Sequence, residues 1–340
     1  MNGVRTASPF TVRGSAVRCA AALLTTLALT TGCAAAGAQD ATDGSGGTGK
    51  GAATPHMTIG MVSHSGDGDT FWDIVQNGAE QAAAKDHVKF LYAHDKEGAQ
   101  QAALIQSYID QKVDGLIVTL AKPEAVQAAV RKAVARGIPV ITINSGGEFS
   151  KAYGALTHIG QDESVAGRAV GEELNNRHAK NTLCVIHEQG NVSLEDRCAG
   201  VRKAFHGTVE TLDVDGTNAP ASQSSVEAKL QSDKSIDAIV TLGAPMAAIS
   251  VKAKEQAGSS AQIATFDLNS AVVKLLKAKD VTFAVDQQPY LQGYEAVDLL
   301  WLHRANADVL GGGKPVLTGP ALVTEEDVPK LTEYTGRGTR

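Results

Sequence analysis

The chain has 340 residues, with 31 lysines and arginines against 37 acids, a net charge of −6 at pH 7. Residues 1–32 hold three arginines (Arg5, Arg13 and Arg18) and no acid, so the remaining 308 residues carry 28 basic side chains against 37 acids, a net −9. That length is long for one core and suits two domains of ordinary size, and an acidic balance without a basic patch argues against a nucleic-acid binder.

The three arginines precede an apolar run from Cys19 to Leu29, with small residues after it. This is the layout of an export signal, and the run falls short of the ~20 apolar residues that a membrane-spanning helix needs. The segment Leu27-Ala28-Leu29-Thr30-Thr31-Gly32-Cys33 resembles a bacterial lipobox, in which cleavage precedes a cysteine that is then lipidated. Thr30 stands where the usual leucine would, and Leu29 sits one place early. The alternative is an ordinary secretory signal cut after Ala36 or Ala38, with Cys33 incidental. A signal peptide is therefore expected over 1–32, lipidation at Cys33, and a small, Gly/Ser-rich, flexible tether over 33–55. Such a tether suits a domain held at a membrane surface.

From Met57 onward, short β-branched runs alternate with longer amphipathic ones. Strands are expected at Thr58–Val62, Val88–Tyr92, Gly115–Thr119, Pro139–Ile143, Leu183–Ile186, Thr211–Val214, Ala238–Thr241, Gln262–Phe266 and Thr282–Val285. Helices are expected at Thr70–Lys85, Ala99–Lys112, Pro123–Arg136, Glu163–Arg177, Leu194–Phe205, Pro245–Ala257 and Pro289–Arg304. Apolar strands alternating with helices indicate parallel sheets covered on both faces. Two sets of such units give an α/β fold of two doubly wound domains. Ligands of such sheets bind beyond the carboxyl ends of the strands.

Polar and aromatic groups gather at those ends. Asp67, Asp69, Phe71 and Trp72 follow the first strand; Asn144 and Ser145 follow the fourth; His187, Glu188 and Asn191 follow Ile186, with Arg197 on the next helix. Asp267 follows Phe266, and Gln287 lies just past the last strand. Aromatics make up only 4% of the chain, yet Phe71 and Trp72 are adjacent. Side by side on a helix, they do not face one core spot. Aromatic faces of this kind stack on the C–H face of a sugar ring while carboxylates and amides take its hydroxyls. The alternative is one ring under the sheet and the other a stray surface aromatic.

Past Cys33 the remaining cysteines are Cys184 and Cys198, the right number for one disulfide in an oxidising compartment. The alternative is a buried thiol on a strand and an unrelated one on a helix. Neither has CxxC spacing, so no metal site is expected. No G-x-S-x-G elbow, no GxGxxG after a strand, no P-loop and no HExxH occurs. His187-Glu188 begins like the last of these, but Asn191 stands where the second histidine would be. No catalytic residue and no cofactor is expected.

From Met57 to Val328 the chain resembles the ribose-binding type of periplasmic sugar-binding protein (type I), the substrate-binding components of ABC importers. The resemblance rests on the opening strand with Phe71-Trp72, Asp114-Gly115-Leu116-Ile117-Val118, Gly137-Ile138-Pro139-Val140-Ile141, Arg197-Cys198-Ala199-Gly200-Val201, Thr265-Phe266-Asp267 and Asp286-Gln287-Gln288-Pro289, in that order. It implies stacking aromatics at Phe71 and Trp72, a hydroxyl-binding arginine at Arg197, an acceptor at Asp267, Gln287 reaching in from the hinge, and Asn144 where many members have aspartate. Ser145 replaces an arginine common in the family, and Leu242-Gly243-Ala244-Pro245 replaces a strand end that usually carries Asn-Asp. Those departures point away from ribose, toward another sugar or a cyclic polyol, with Asp67 or Asp69 and Glu188 as further acceptors. The resemblance also implies a cleft between two lobes joined by three crossings, near His158–Asp162, Asp286–Pro289 and Leu317–Ala321. The lobes would be 56–159 plus 289–317 and 160–288 plus 318–330. Implied partners are a sugar or polyol and the subunits of an ABC permease that reads the closed form, for a monomer anchored to the membrane by lipid. A lipid-anchored sensor signalling to a chemoreceptor or kinase is the alternative. DNA-binding repressors share this core, but they carry a helix-turn-helix where this chain has its signal and linker.

Overall fold

The computed structural model describes residues 55–66 and 68–340. The expected signal peptide, Cys33, the tether up to residue 54 and Asp67 lie outside the described residues.

Strands and helices alternate along the chain. The first half comprises β1 (Thr58–Ser63), α1 (Thr70–Asp86), β2 (Lys89–His94), α2 (Gly98–Asp110), β3 (Gly115–Val118), α3 (Pro123–Ala135), β4 (Val140–Ile143), the single turn α4 (Gly147–Ser150) and β5 (Thr157–Gln161). The second comprises α5 (Glu163–Asn176), β6 (Asn181–Ile186), α6 (Val192–Ala204), β7 (Thr208–Asp213), α7 (Ala219–Ser232), β8 (Ala238–Thr241), α8 (Ala244–Gln256), β9 (Gln262–Phe266), α9 (Ser270–Ala278) and β10 (Phe283–Asp286). Then follow α10 (Pro289–Asn306), β11 (Val316–Gly319), β12 (Ala321–Val323) and α11 (Val328–Gly336).

Two six-stranded sheets result, ordered β2-β1-β3-β4-β5-β11 and β7-β6-β8-β9-β10-β12. All pairings are parallel except β10 with β12. The central strands β3, β4, β8 and β10 are buried throughout, as parallel strands covered on both faces must be. Each sheet has an apolar cluster on either side. In the first lobe α1 and α10 cover one face, with Ile59, Met61 and Ile141, while α2 and α3 cover the other, with Val62, Leu116 and Val118. In the second lobe α5 and α6 cover Cys184, Val240 and Phe266, and α7, α8 and α9 cover Leu183, Ile239 and Ile263. Burying a side chain of this size contributes about 1.5–3 kcal/mol, so each sheet is held from both sides.

The chain passes between the sheets three times, at Gln161–Glu163, at Asp286–Pro289 where α10 returns to pack on α1, and at Gly319–Ala321 between β11 and β12. The strand expected at Thr211–Val214 runs instead from Thr208 to Asp213. The structure also adds α4, β5, α7, α9, β11, β12 and α11 to the expected elements. Their sequences lack long apolar runs: β7 is a mostly exposed edge strand, and α7 buries only Ser222, Val226 and Leu230.

Helices α5 and α6 approach unusually closely. A Cβ on Gly167 would lie 2.2 Å from the Arg197 carbonyl oxygen, and one on Gly200 would lie 2.6 Å from that of Ser164. Only glycine allows both backbones that proximity, and the contact sets the start of α5 beside the middle of α6. One residue past Arg197, Cys198 forms a disulfide with Cys184 on β6, with Cα atoms 6.0 Å apart and a sequence separation of 14. The bond ties α6 to the sheet beneath it. A loop of this length contributes about 3 kcal/mol in the chain-entropy account. The Cys184→Ser/Cys198→Ser protein is accordingly expected to melt on the order of 5–10 °C lower in scanning calorimetry.

Candidate functional site

The carboxyl ends of β1, β4, β6, β8, β9 and β10 converge on a cavity of about 180 Å³ between the lobes. Asp69, Phe71, Trp72, Asn144, Glu188, Arg197, Asp267 and Gln287 all line it, whereas Asp67 lies outside the described residues.

Arg197 projects from α6 and is buried, 3% exposed. Its Nε and Nη2 donate to the two carboxylate oxygens of Glu163, at 2.6 and 2.9 Å, and its Nη1 donates to the Leu242 carbonyl at 2.8 Å. The guanidinium also lies over the Phe266 ring, 4.6 Å from its centroid. Such a bidentate fork fixes the arginine in one pose. Its link to Asp267 is looser, with Nη1 3.8 Å from Oδ2. The main partner of Arg197 is thus Glu163, which the sequence did not single out; α5–α6 packing brings the two together across 34 positions.

Asn144 and Asp267 occupy matching places, each directly after the fourth strand of its sheet order. Both take positive φ, 61° and 69°, a conformation that short polar side chains tolerate best. Gln287 joins them from the crossing after β10: Asn144 Nδ2 donates to its Oε1 at 3.0 Å, and its Nε2 donates to Asp267 Oδ1 at 2.6 Å. Gln292 Nε2 also donates to Gln287 Oε1 at 3.0 Å, and Ser145 Oγ to Asn144 Oδ1 at 2.7 Å. Burial pushes the Asp267 carboxyl up to about 7, against the pull of Arg197 and Gln287.

Phe71 and Trp72 begin α1, whose N-cap is Asp69; Asp69 Oδ1 accepts from the Phe71 amide at 3.1 Å. Burial raises Asp69 to about 6 against that bond. The two rings do share one core spot, contrary to expectation. They meet edge to face at 5.2 Å within the apolar cluster of α1 and also border the cavity. The first turn of a helix that starts at the cleft has the sheet on one side and the cavity on the other, so adjacent positions reach both.

Beside Trp72, His64, directly after β1, stands edge-on with ring centroids 5.0 Å apart. Asn191 Nδ2 donates to Glu188 Oε2 at 2.9 Å and lies 3.3 Å from His64 Nε2. An amide nitrogen only donates, so His64 Nε2 accepts and its Nδ1 carries the proton toward Thr119 Oγ1, 2.8 Å away. Burial lowers His64 and keeps it neutral. These contacts join the lobes, as does the Val192 amide, which donates to the Ala121 carbonyl at 3.1 Å. His187, directly after β6, is the counterpart of His64 and is lowered to about 4 by burial. Its Nδ1 and the Ser193 Oγ are buried without a partner among the described residues, and both residues line the cavity. His187 and Asn191 stand where the sequence gathers polar groups at the strand ends, though without an assigned ligand-binding role; His64, directly after the first strand, the sequence did not single out. Leu242, Ala244, Pro245 and Met246 give the cavity an apolar wall. Among the described residues no metal-binding cluster occurs, and no helix is long and apolar enough to cross a membrane.

Arg197→Ala leaves the Glu163 carboxylate buried without its cation, which typically costs about 3–5 kcal/mol. The Arg197→Ala/Glu163→Gln double variant is expected to recover most of that loss in denaturant titrations; a double variant no more stable than the single would show that the pair is not what Arg197→Ala breaks.

The model of the periplasmic binding protein domain matches residues 59–307. A carbohydrate transporter from Acidothermus cellulolyticus, solved in complex with myo-inositol, is 46% identical, with a TM-score of 0.83 over 84% of this chain and 100% of that one. The ribose import binding protein of Bacillus subtilis is 25% identical over 270 residues, 76% of this chain and 83% of that protein. The xylose/arabinose-binding protein of Sulfolobus acidocaldarius is 24% identical over 257 residues; the match spans 69% of this chain and 63% of that longer protein. An ABC transporter solute-binding protein from Burkholderia graminis, at 23% identity and a TM-score of 0.73, shares the fold. These relatives are binding and transport proteins, not enzymes, and the chain belongs to the periplasmic binding protein family.

Proposed function

We propose that the chain is the extracytoplasmic substrate-binding component of an ABC importer and takes a monosaccharide or cyclic polyol between its lobes. The observation that carries this reading is the cavity's donor and acceptor set, in a chain 46% identical to a carbohydrate transporter complexed with myo-inositol. Each hydroxyl of such a ring both donates and accepts. Asp69, Glu188 and Asp267 accept, Arg197 donates, and Asn144 and Gln287 do either; Asp67 stays in the proposed acceptor set on its place in the sequence. Phe71 and Trp72 offer apolar surface to the ring's C–H groups. Hydrogen bonds to charged groups contribute about 1.5–3 kcal/mol each, enough to separate epimers.

The proposed lobes are 56–159 plus 289–317 and 160–288 plus 318–330. A ligand held by both favours the closed arrangement, which a permease then reads. Lipidation at Cys33 and the tether over 33–55 would keep a monomeric receptor near that permease.

Titration calorimetry with pentoses, hexoses and inositols is expected to give an inositol or related ring the lowest Kd, about tenfold or more below ribose. Ribose as the tightest ligand would sink the reading. A Cys33→Ala variant is expected in the soluble fraction with binding intact, and firm membrane attachment of that variant would refute the anchor.

A further inference from the structure

The charges around the cavity do not balance. Arg197 commits its fork to Glu163, at 2.6 and 2.9 Å, and Nη1 to the Leu242 carbonyl, so its positive charge is already matched. Lys122 faces Glu188 at 3.8 Å. Lys96 is exposed at the rim, where its charge acts on Asp215. Among the described residues, Asp267 has only a share of Arg197, 3.8 Å away and already forked to Glu163, no cation lies within ion-pair distance of Asp69, and the neighbouring His64 and His187 are kept neutral by burial. Asp69 and Asp267 line the same cavity, so the two carboxyls address one space.

We propose that this site takes aminated ring polyols, aminocyclitols or amino sugars with a free ammonium, and rejects rings that carry a carboxylate or phosphate. The proposal rests on the cyclic-polyol reading above and names a ligand class within it. An ammonium has three donors and no acceptor, which suits carboxylates that neutral hydroxyls leave uncompensated. Burial has raised both carboxyls toward neutrality; a nearby cation favours their charged form and gains a charge-assisted bond in return. An anionic ring meets the opposite situation. It adds like charge at low dielectric, and Arg197 cannot offset it while Glu163 holds the guanidinium.

The test is calorimetry of the purified protein with myo-inositol, its positional amino-deoxy analogues and its monophosphate, and with glucose, glucosamine and glucuronate as a second series. At least one amino analogue is expected to bind as tightly as its neutral parent or up to about tenfold tighter, and the anionic rings about a hundredfold weaker. Asp69→Asn, which retains a good N-cap, is expected to shrink the ratio of amino to neutral affinity. Glu163→Gln, which releases the Arg197 charge, is expected to narrow the gap between anionic and neutral rings; should it fail to fold, the wild-type series still decides. Anionic rings that bind as well as neutral ones overturn the proposal. So do neutral rings that bind while every amino analogue is more than about tenfold weaker. Amino rings that bind where neutral ones do not would support the charge argument and narrow the polyol reading, and failure of every ring overturns both.

Discussion

The buried pair of Arg197 with Glu163 is the interaction on which the site's geometry depends. Two charges removed from water are costly, and their mutual attraction offsets that cost only when the geometry is good and the remaining donors are satisfied. Here the fork is bidentate and a third donor reaches the Leu242 carbonyl. The pair is weak evidence for stability but a strong constraint on shape. It fixes where the one buried guanidinium of the cavity stands, how α5 lies on α6, and where the loop after β8 must pass.

The two lobes solve the same problem twice. In each, the residue after the first strand of the lobe is a histidine kept neutral by desolvation, His64 buried and His187 half-buried. In each, the residue after the fourth strand of the sheet order is a short polar side chain at positive φ, Asn144 and then Asp267. The difference between the members of each pair gives the cavity its polarity. Asn144 is a neutral amide and Asp267 an acid, and Gln287 can serve both because an amide offers a donor on one side and an acceptor on the other. A glutamate at position 287 would face Asp267 as a like charge, and a leucine would leave both partners unsatisfied.

Much of this was legible in the sequence, and the reasons are local. Strands such as Leu183–Ile186 and Ala238–Thr241 announce themselves because both faces are buried, so every residue is apolar or small. The doubly wound topology then directs attention to strand ends, which suffices for Asp69, Asn144, Asp267 and Gln287. β5, read Thr157-His158-Ile159-Gly160-Gln161, stayed hidden because its burial is largely of polar groups satisfied by neighbours such as Thr142 and Glu163. Glu163 looked like an ordinary first-turn acid on a helix; its role is created by packing against a helix that starts nearly thirty residues later. The shared burial of Phe71 and Trp72 depends on α1 opening at the cleft, which spacing on a helical wheel does not reveal.

The glycine contact between α5 and α6 divides the site by how readily it can change. Gly167 and Gly200 admit no side chain, so the arginine's half of the cavity is frozen: drift at either position displaces the guanidinium along with the helix. The apolar wall from Leu242 to Met246 and the hydroxyl of Ser145 sit on strand ends and a helix start without such a lock. Evolution, or a directed library, can therefore rewrite which ring this scaffold accepts through that wall while the recognition of its polar edge stays constant. Specificity in this molecule is a replaceable lining around a part of the frame that cannot be edited.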